Sequence, residues 1–193
     1  MTEETDVSDC TRCSGLCASR SRIVNGVGPT DAALCFVGEA PGRQEDETGD
    51  PFVGRSGDVL DEGLRDQGLA RRDVRITNCV RCRPPENRDP TAAELDNCRP
   101  YLDREIDVVD PDVVVTLGKV PSEQLLERSV SVTAEAGSVH DVRIADTPRR
   151  VLVCVHPAAT LYDPGQRETF ASALGAAVEL VEGGGDQSRL GEF

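Results

Sequence analysis

A chain of 193 residues has room for one α/β domain with a substantial core and is too short for two comfortable ones. Its 35 Asp and Glu outweigh 21 Lys and Arg for a formal net charge of −14, and Lys119 is the only lysine. Bulk attraction to nucleic acid is thereby excluded, so a DNA partner has to be argued from local motifs.

The N-terminus, Met1 to Asp9, is acidic where a secretion signal would be basic and then apolar, and no apolar run reaches about 18 residues. A cytoplasmic protein with reduced cysteines is expected, with no membrane partner. Arginine in place of lysine, with few aromatics, further suggests a halophilic cytoplasm. Self-repulsion is tolerable there because the Debye length at molar salt is about 3 Å.

Cys10 and Cys13 open the chain, and Cys82 and Cys98 follow in its middle. Four thiols without a neighbouring histidine suit an iron-sulfur cluster or a structural zinc. A first apolar run, Ala33 to Val37, has the pattern of a strand buried on both faces. A helix is predicted from Ser56, as its cap, to Gly68, and a second strand over Val74 to Thr77. Thr91 to Ile106 opens as a capping box, with Glu94 three residues after Thr91. A third strand, Val113 to Leu117, precedes a helix from about Val120 to Arg128. Weak alternation over Val130 to Ile144 predicts an antiparallel hairpin, and Val151 to Val155 is the fourth buried strand. The last helix, Gln166 to Val181, should stop at Gly183, leaving Met1 to Ser8 and Gly183 to Phe193 as mobile tails. Strands alternating with helices predict one domain, a three-layer α/β/α sandwich around a mainly parallel four-stranded sheet. Its site belongs at the carboxyl ends of the strands.

Those ends carry polar motifs. After the first strand come Gly38-Glu39-Ala40-Pro41-Gly42 and Pro51-Phe52-Val53-Gly54, a tightly turned loop with Glu39, Glu45 and Asp46 around it. It lacks the Gly-Lys-Ser/Thr ending of a phosphate loop. After the second comes Asn78, whose amide suits an imide edge such as that of uracil. Cys79, Arg81, Cys82, Arg83 and Arg88 follow. After the fourth, His156 precedes Pro157 and can donate to a developing oxyanion. Phe52 is an aromatic on which a base could stack.

These segments, in this order, resemble family 4 uracil-DNA glycosylases, the iron-sulfur branch of the uracil-DNA glycosylase superfamily, from Cys10 to about Val181. The resemblance implies a four-iron four-sulfur cluster on Cys10, Cys13, Cys82 and Cys98, with zinc as the alternative. It implies Phe52 stacking on a flipped uracil, Asn78 reading its edge beside Ala40, and His156 stabilising the departing base. Flipping is needed because the glycosidic bond is inaccessible in a duplex. Ala40 stands where other branches carry a water-positioning residue, which leaves that task to Glu39, with Glu45 next. The lone lysine offers no lyase nucleophile.

Arg81 and Arg83 are the expected contacts to the backbone of single- or double-stranded DNA, and Leu161 or Tyr162 the wedge that fills the vacated stack. Cys17 could compete as a ligand, whereas Cys35 and Cys154 lie inside strands as small apolar groups. The protein should act as a monomer. One alternative is a relative that traps uracil-DNA covalently through a histidine, but Arg81 to Thr91 contains none. The other is a non-catalytic cluster protein, against which Phe52, Asn78 and His156 argue.

Overall fold

The computed structural model describes residues 4–187. Its strands are β1 (Leu34–Gly38), β2 (Arg75–Asn78), β3 (Val113–Leu117), β4 (Val139–Ile144) and β5 (Thr147–Cys154). The sheet order is β2-β1-β3-β5-β4, parallel throughout except for β4, which runs antiparallel to β5. The four apolar runs are therefore the four parallel strands, and the sheet has a fifth strand at its edge. The hairpin expected within Val130 to Ile144 is instead a short helix followed by β4, whose hairpin partner is β5 itself. Several β4 residues stay exposed, which is why its alternation is weak and polar.

Seven helices flank the described strands: α1 (Ser14–Ser19), α2 (Arg43–Thr48), α3 (Arg55–Asp66), α4 (Ala92–Val109), α5 (Lys119–Leu126), α6 (Val132–Glu135) and α7 (Gly165–Gln187). Alternate strand residues feed the two layers. Phe36, Val115 and Leu152 pack with Leu60 and Leu64 of α3 and Phe170 and Leu174 of α7. On the other face Cys35, Val37 and Val114 pack with Leu102 and Ile106 of α4 and Leu125 of α5. Each large apolar side chain so buried contributes about 1.5–3 kcal/mol. Cys35 and Cys154 are fully buried, and burial raises both thiol pKa values, that of Cys154 to about 12.

Local signals hold in part. Thr91 caps α4, its hydroxyl accepting from Glu94 N at 3.3 Å while Thr91 N donates to Glu94 Oε2 at 2.8 Å. Arg88 grips the same carboxylate with both terminal nitrogens at 2.8 Å, and this pairing is the main reason the Glu94 pKa falls to about 2. Ser56 is not a cap: α3 starts one residue earlier, after Gly54 at φ 77°, with no side-chain cap bond. α2 escapes a hydropathy search because its six residues, RQEDET, are all polar.

The ends also differ from expectation. Thr5 and Val7 are buried, and α7 continues through the three glycines to Gln187. Thr5 and Val7 thus anchor the first described residues to the fold, while the tail expectation for 1–3 and 188–193 lies outside the described residues. The N-terminal strap is held by buried charge. Glu105 of α4 accepts from Arg75 Nε and Arg81 Nη2, both at 2.7 Å, and from the Thr77 hydroxyl at 2.7 Å. Arg75 then donates to Thr5 Oγ1 at 2.9 Å and Arg81 to the Thr5 carbonyl at 2.6 Å. Gly26 makes room, since a Cβ there would lie 1.9 Å from Glu105 Oε1.

Candidate active site

A cavity of about 190 Å³ opens at the carboxyl ends of β1, β2 and β5, lined by Glu39, Ala40, Gly42, Glu45, Phe52, Ser56, Asn78 and His156. A protein cavity of about 150 Å³ holds benzene, so the space matches one six-membered heterocycle with its substituents. Glu39 and Ala40 follow β1 directly, Asn78 is the last residue of β2, and His156 comes two residues after β5. Parallel strands thus bring residues far apart in sequence to one rim.

Phe52 forms one wall. It is buried, holds the left-handed conformation at φ 53°, and lies with its ring centroid 5.9 Å from that of His156 at 31°. Such a conformation costs on the order of 1–3 kcal/mol for a non-glycine residue and persists only where its surroundings enforce it. Gly57 supplies part of that enforcement, because a Cβ there would meet the Phe52 carbonyl oxygen at 1.8 Å. Gly38 lets the ring and the Asn78 amide close in. A Cβ on Gly38 would lie 2.5 Å from the Phe52 ring and 2.4 Å from Asn78 Oδ1.

His156 has a defined tautomer. Its Nδ1 accepts from Ala158 N at 3.1 Å, so the neutral ring carries its proton on Nε2, the edge left free for the cavity. Burial holds its pKa below the ordinary 6.5 and keeps it neutral. Gly118, at φ 104°, packs under the ring, where a Cβ would sit 3.2 Å from His156 Cβ.

The carboxylates separate by role. Glu45 Oε2 accepts from Gly42 N at 3.1 Å and so braces the start of α2. Asp46 turns away from the cavity, is 2% exposed, and accepts from Ser21 N and Arg22 N. The Glu39 carbonyl accepts from Val80 N at 3.0 Å, while its carboxylate has no hydrogen bond or ion pair among the described residues, and burial, then the charge of Asp89, raises its pKa above 4.5. A histidine N–H, an ionisable carboxylate and an aromatic ring therefore surround one small space. A family model of the uracil DNA glycosylase superfamily matches residues 25–177, which covers all of them. The chain belongs to that superfamily.

Among its relatives in the superfamily, the type-4 uracil-DNA glycosylase of Archaeoglobus fulgidus is 40% identical over 179 residues, 91% of this chain and 89% of that protein. The type-4 enzyme of Thermotoga maritima is 44% identical over 136 residues, 70% of each chain. A type-5 uracil-DNA glycosylase of Pyrobaculum aerophilum matches less of the length, at 37% identity over 57% of this chain and 48% of that protein.

Cys10, Cys13, Cys82 and Cys98 are linked through shared neighbours, and all eight cysteines of the chain are free thiols. Arg20 ties two of them, donating to Cys82 Sγ at 2.9 Å and to the Cys10 carbonyl at 2.7 Å. Asn97 Nδ2 donates to Cys13 Sγ at 3.4 Å, and Cys13, Cys82 and Cys98 share an apolar cluster with Leu16 and Val80. Burial raises the Cys98 thiol to about 11, with the charges of Cys82 and Cys10 adding to the shift. Cys17 turns back to the Cys10 carbonyl at 3.4 Å, and Cys79 is buried in the α4 and α5 layer. Among the described residues, no three His, Cys, Asp or Glu side chains are gathered so as to hold a single metal ion. Four cysteines without a histidine are, as a donor set, the kind that holds an iron-sulfur cluster.

The expected DNA contacts divide. Arg81 is only 2% exposed and committed to Thr5, Asn25, Tyr101 and Glu105, so it is not available to a phosphate. A buried carboxylate at Glu105 needs cations beside it, and Arg81 is one of them. Arg83 is half-buried, with Nε donating to Asn87 Oδ1 at 2.7 Å. Leu161 is half-buried in a groove between α3 and α7, whereas Tyr162 is 80% exposed. Gly118 and Arg71 stand outside the motifs read from sequence, whereas Gly38 opens the first loop motif. The glycines had a signal, since each directly follows an apolar strand core, but Arg71 had none.

Proposed function

We propose that this protein is a monofunctional uracil-DNA glycosylase that hydrolyses the N-glycosidic bond of uracil in DNA, the repair step for deaminated cytosine. The observation that carries this is the base-sized cavity in which Phe52, Asn78, His156 and Glu39 converge. Uracil flipped from the strand stacks on Phe52, and the Asn78 amide pairs with its imide edge. As the bond from the sugar to the base breaks, its electron pair moves onto uracil, and His156 Nε2–H donates to the base oxygen that gains the charge. The sugar becomes oxocarbenium-like. Glu39 orients a water and takes its proton as the water oxygen bonds to the sugar carbon. Uracil leaves as the anion and is protonated in solvent.

Cys10, Cys13, Cys82 and Cys98 would hold a four-iron four-sulfur cluster, whose contribution is a cross-link between the N-terminal segment, the Arg83 loop and α4. Arg83 is the DNA backbone contact left after Arg81 is excluded. Tyr162 is the wedge into the vacated stack, being the exposed member of the pair. The protein works as a single-domain monomer in a salt-rich cytoplasm. Released counterions help little there, and stacking and pocket hydrogen bonds carry the affinity.

Incubation with a uracil-containing single strand at high salt, followed by alkali, should cut the strand at uracil; an intact strand would refute the reading. The pH profile of turnover supplies a second check. Glu39 must be ionised and His156 neutral, and both conditions are met as pH rises. Burial raises the Glu39 pKa and lowers that of His156, so activity should climb with pH on the acid side and stay level once both groups have lost their protons. A rate that instead falls as pH rises through neutrality would mean that a protonated histidine is required. For the cluster, a visible absorption band with bound iron and sulfide is expected, absent from Cys82→Ala. A colourless protein containing zinc would overturn that assignment.

A further inference from the structure

We infer that Arg71 is the positioning residue for the base-stacking aromatic of this site, an assignment that rests on the glycosylase reading above. Arg71 lies outside the cavity, on the single turn Arg71–Asp73 that leads into β2. Its guanidinium spans two successive carbonyls of the Phe52 loop, Nη1 donating to Phe52 O at 2.8 Å and Nη2 to Pro51 O at 2.5 Å. Nη1 also meets Asp61 Oδ1 of α3 at 3.0 Å, which fixes the plane of the fork.

The held peptide is the one with the conformational problem. Phe52 sits at φ 53°, and its carbonyl oxygen is squeezed between the fork and Gly57. Released, the residue would relax toward ordinary backbone conformations, and the ring would leave the wall it shares with His156. Arg71 is also only a few residues before Asn78 on the same segment, so one stretch of chain holds the stacking ring at one end and the edge-reading amide at the other. A planar fork that bonds two carbonyls at once is something an ammonium cannot reproduce.

The test is a double-mutant cycle with free uracil as the probe. Arg71→Met should lower kcat/KM on the order of 10–100-fold and weaken competitive inhibition by uracil about 10-fold, with the circular dichroism of the folded protein retained. Arg71→Lys, which keeps the stem and the charge, should recover little of either loss. It carries the same comparison should the methionine variant not fold. The double variant with Phe52→Ala should be no worse than Phe52→Ala alone, because Arg71 acts through that ring. Unchanged uracil inhibition in the Arg71 variants, or losses that simply add, would overturn the assignment. Wild-type protein is the control: if it releases no uracil the glycosylase reading itself fails, whereas release together with additive losses defeats Arg71 alone.

Discussion

Replacing His156 with alanine should lower the turnover of uracil release by about 10²–10³-fold, equivalent to about 2.7–4 kcal/mol of transition-state stabilisation. The size follows from where the donor sits. Nε2–H is preorganised, because Nδ1 is already committed to Ala158 N and the ring is wedged between Gly118 and Phe52. No reorganisation is needed when charge develops on the base. Burial keeps the imidazole neutral, so the alanine variant should show the loss across the whole plateau of the pH profile. Binding should change much less than turnover, since the hydrogen bond strengthens only as the base becomes anionic. An equal loss in KM and none in kcat would assign His156 to ground-state binding instead.

Changing Glu105 to glutamine should destabilise the fold by about 3–5 kcal/mol, the cost of leaving buried charges without their partner. Total stabilities of about 5–15 kcal/mol make that a large fraction, and for a chain of this size the midpoint should fall roughly 6–20 °C. Arg75 and Arg81 are 0% and 2% exposed, and both reach this one carboxylate at 2.7 Å. Glutamine keeps the shape but would turn an NH2 group toward donors. The effect should extend to the site, because Arg75 begins the strand that ends in Asn78, and Arg81 directly precedes Cys82. Thermal melts of Glu105→Gln beside Glu47→Gln, whose arginine partner is exposed, separate the two regimes. The surface change should leave the midpoint where it is, and equal midpoints for both variants would refute the role of the buried network.

The elements most legible from sequence are those whose physics is local. β1, β2, β3 and β5 announce themselves as short apolar runs, because a parallel strand covered on both faces has no polar side to show. α4 announces itself through Thr91 and Glu94, which are in contact within one turn. That Phe52, Asn78 and His156 meet at one cavity is legible as well, each being a polar or aromatic residue at the end of a strand or in a glycine-proline loop. Arg81 is the instructive miss. In an acidic chain an arginine beside other arginines reads as a surface cation, and only packing shows that Glu105, 24 residues on, has drawn it into the core.

Sequence alone thus settles the four parallel strands, the order of the motifs and the chemical types gathered at the strand ends, since these depend on periodicity and on neighbours a few residues apart. The tertiary structure decides which of those groups are free to act. It ties Asp46 to Ser21, Arg81 to Glu105 and Glu45 to the start of α2, and leaves the Glu39 carboxylate, the Tyr162 hydroxyl and the Nε2 edge of His156 without a hydrogen bond among the described residues. That choice turns on hydrogen bonds between residues up to 76 apart, and no pattern within one segment encodes which partner a buried charge will find.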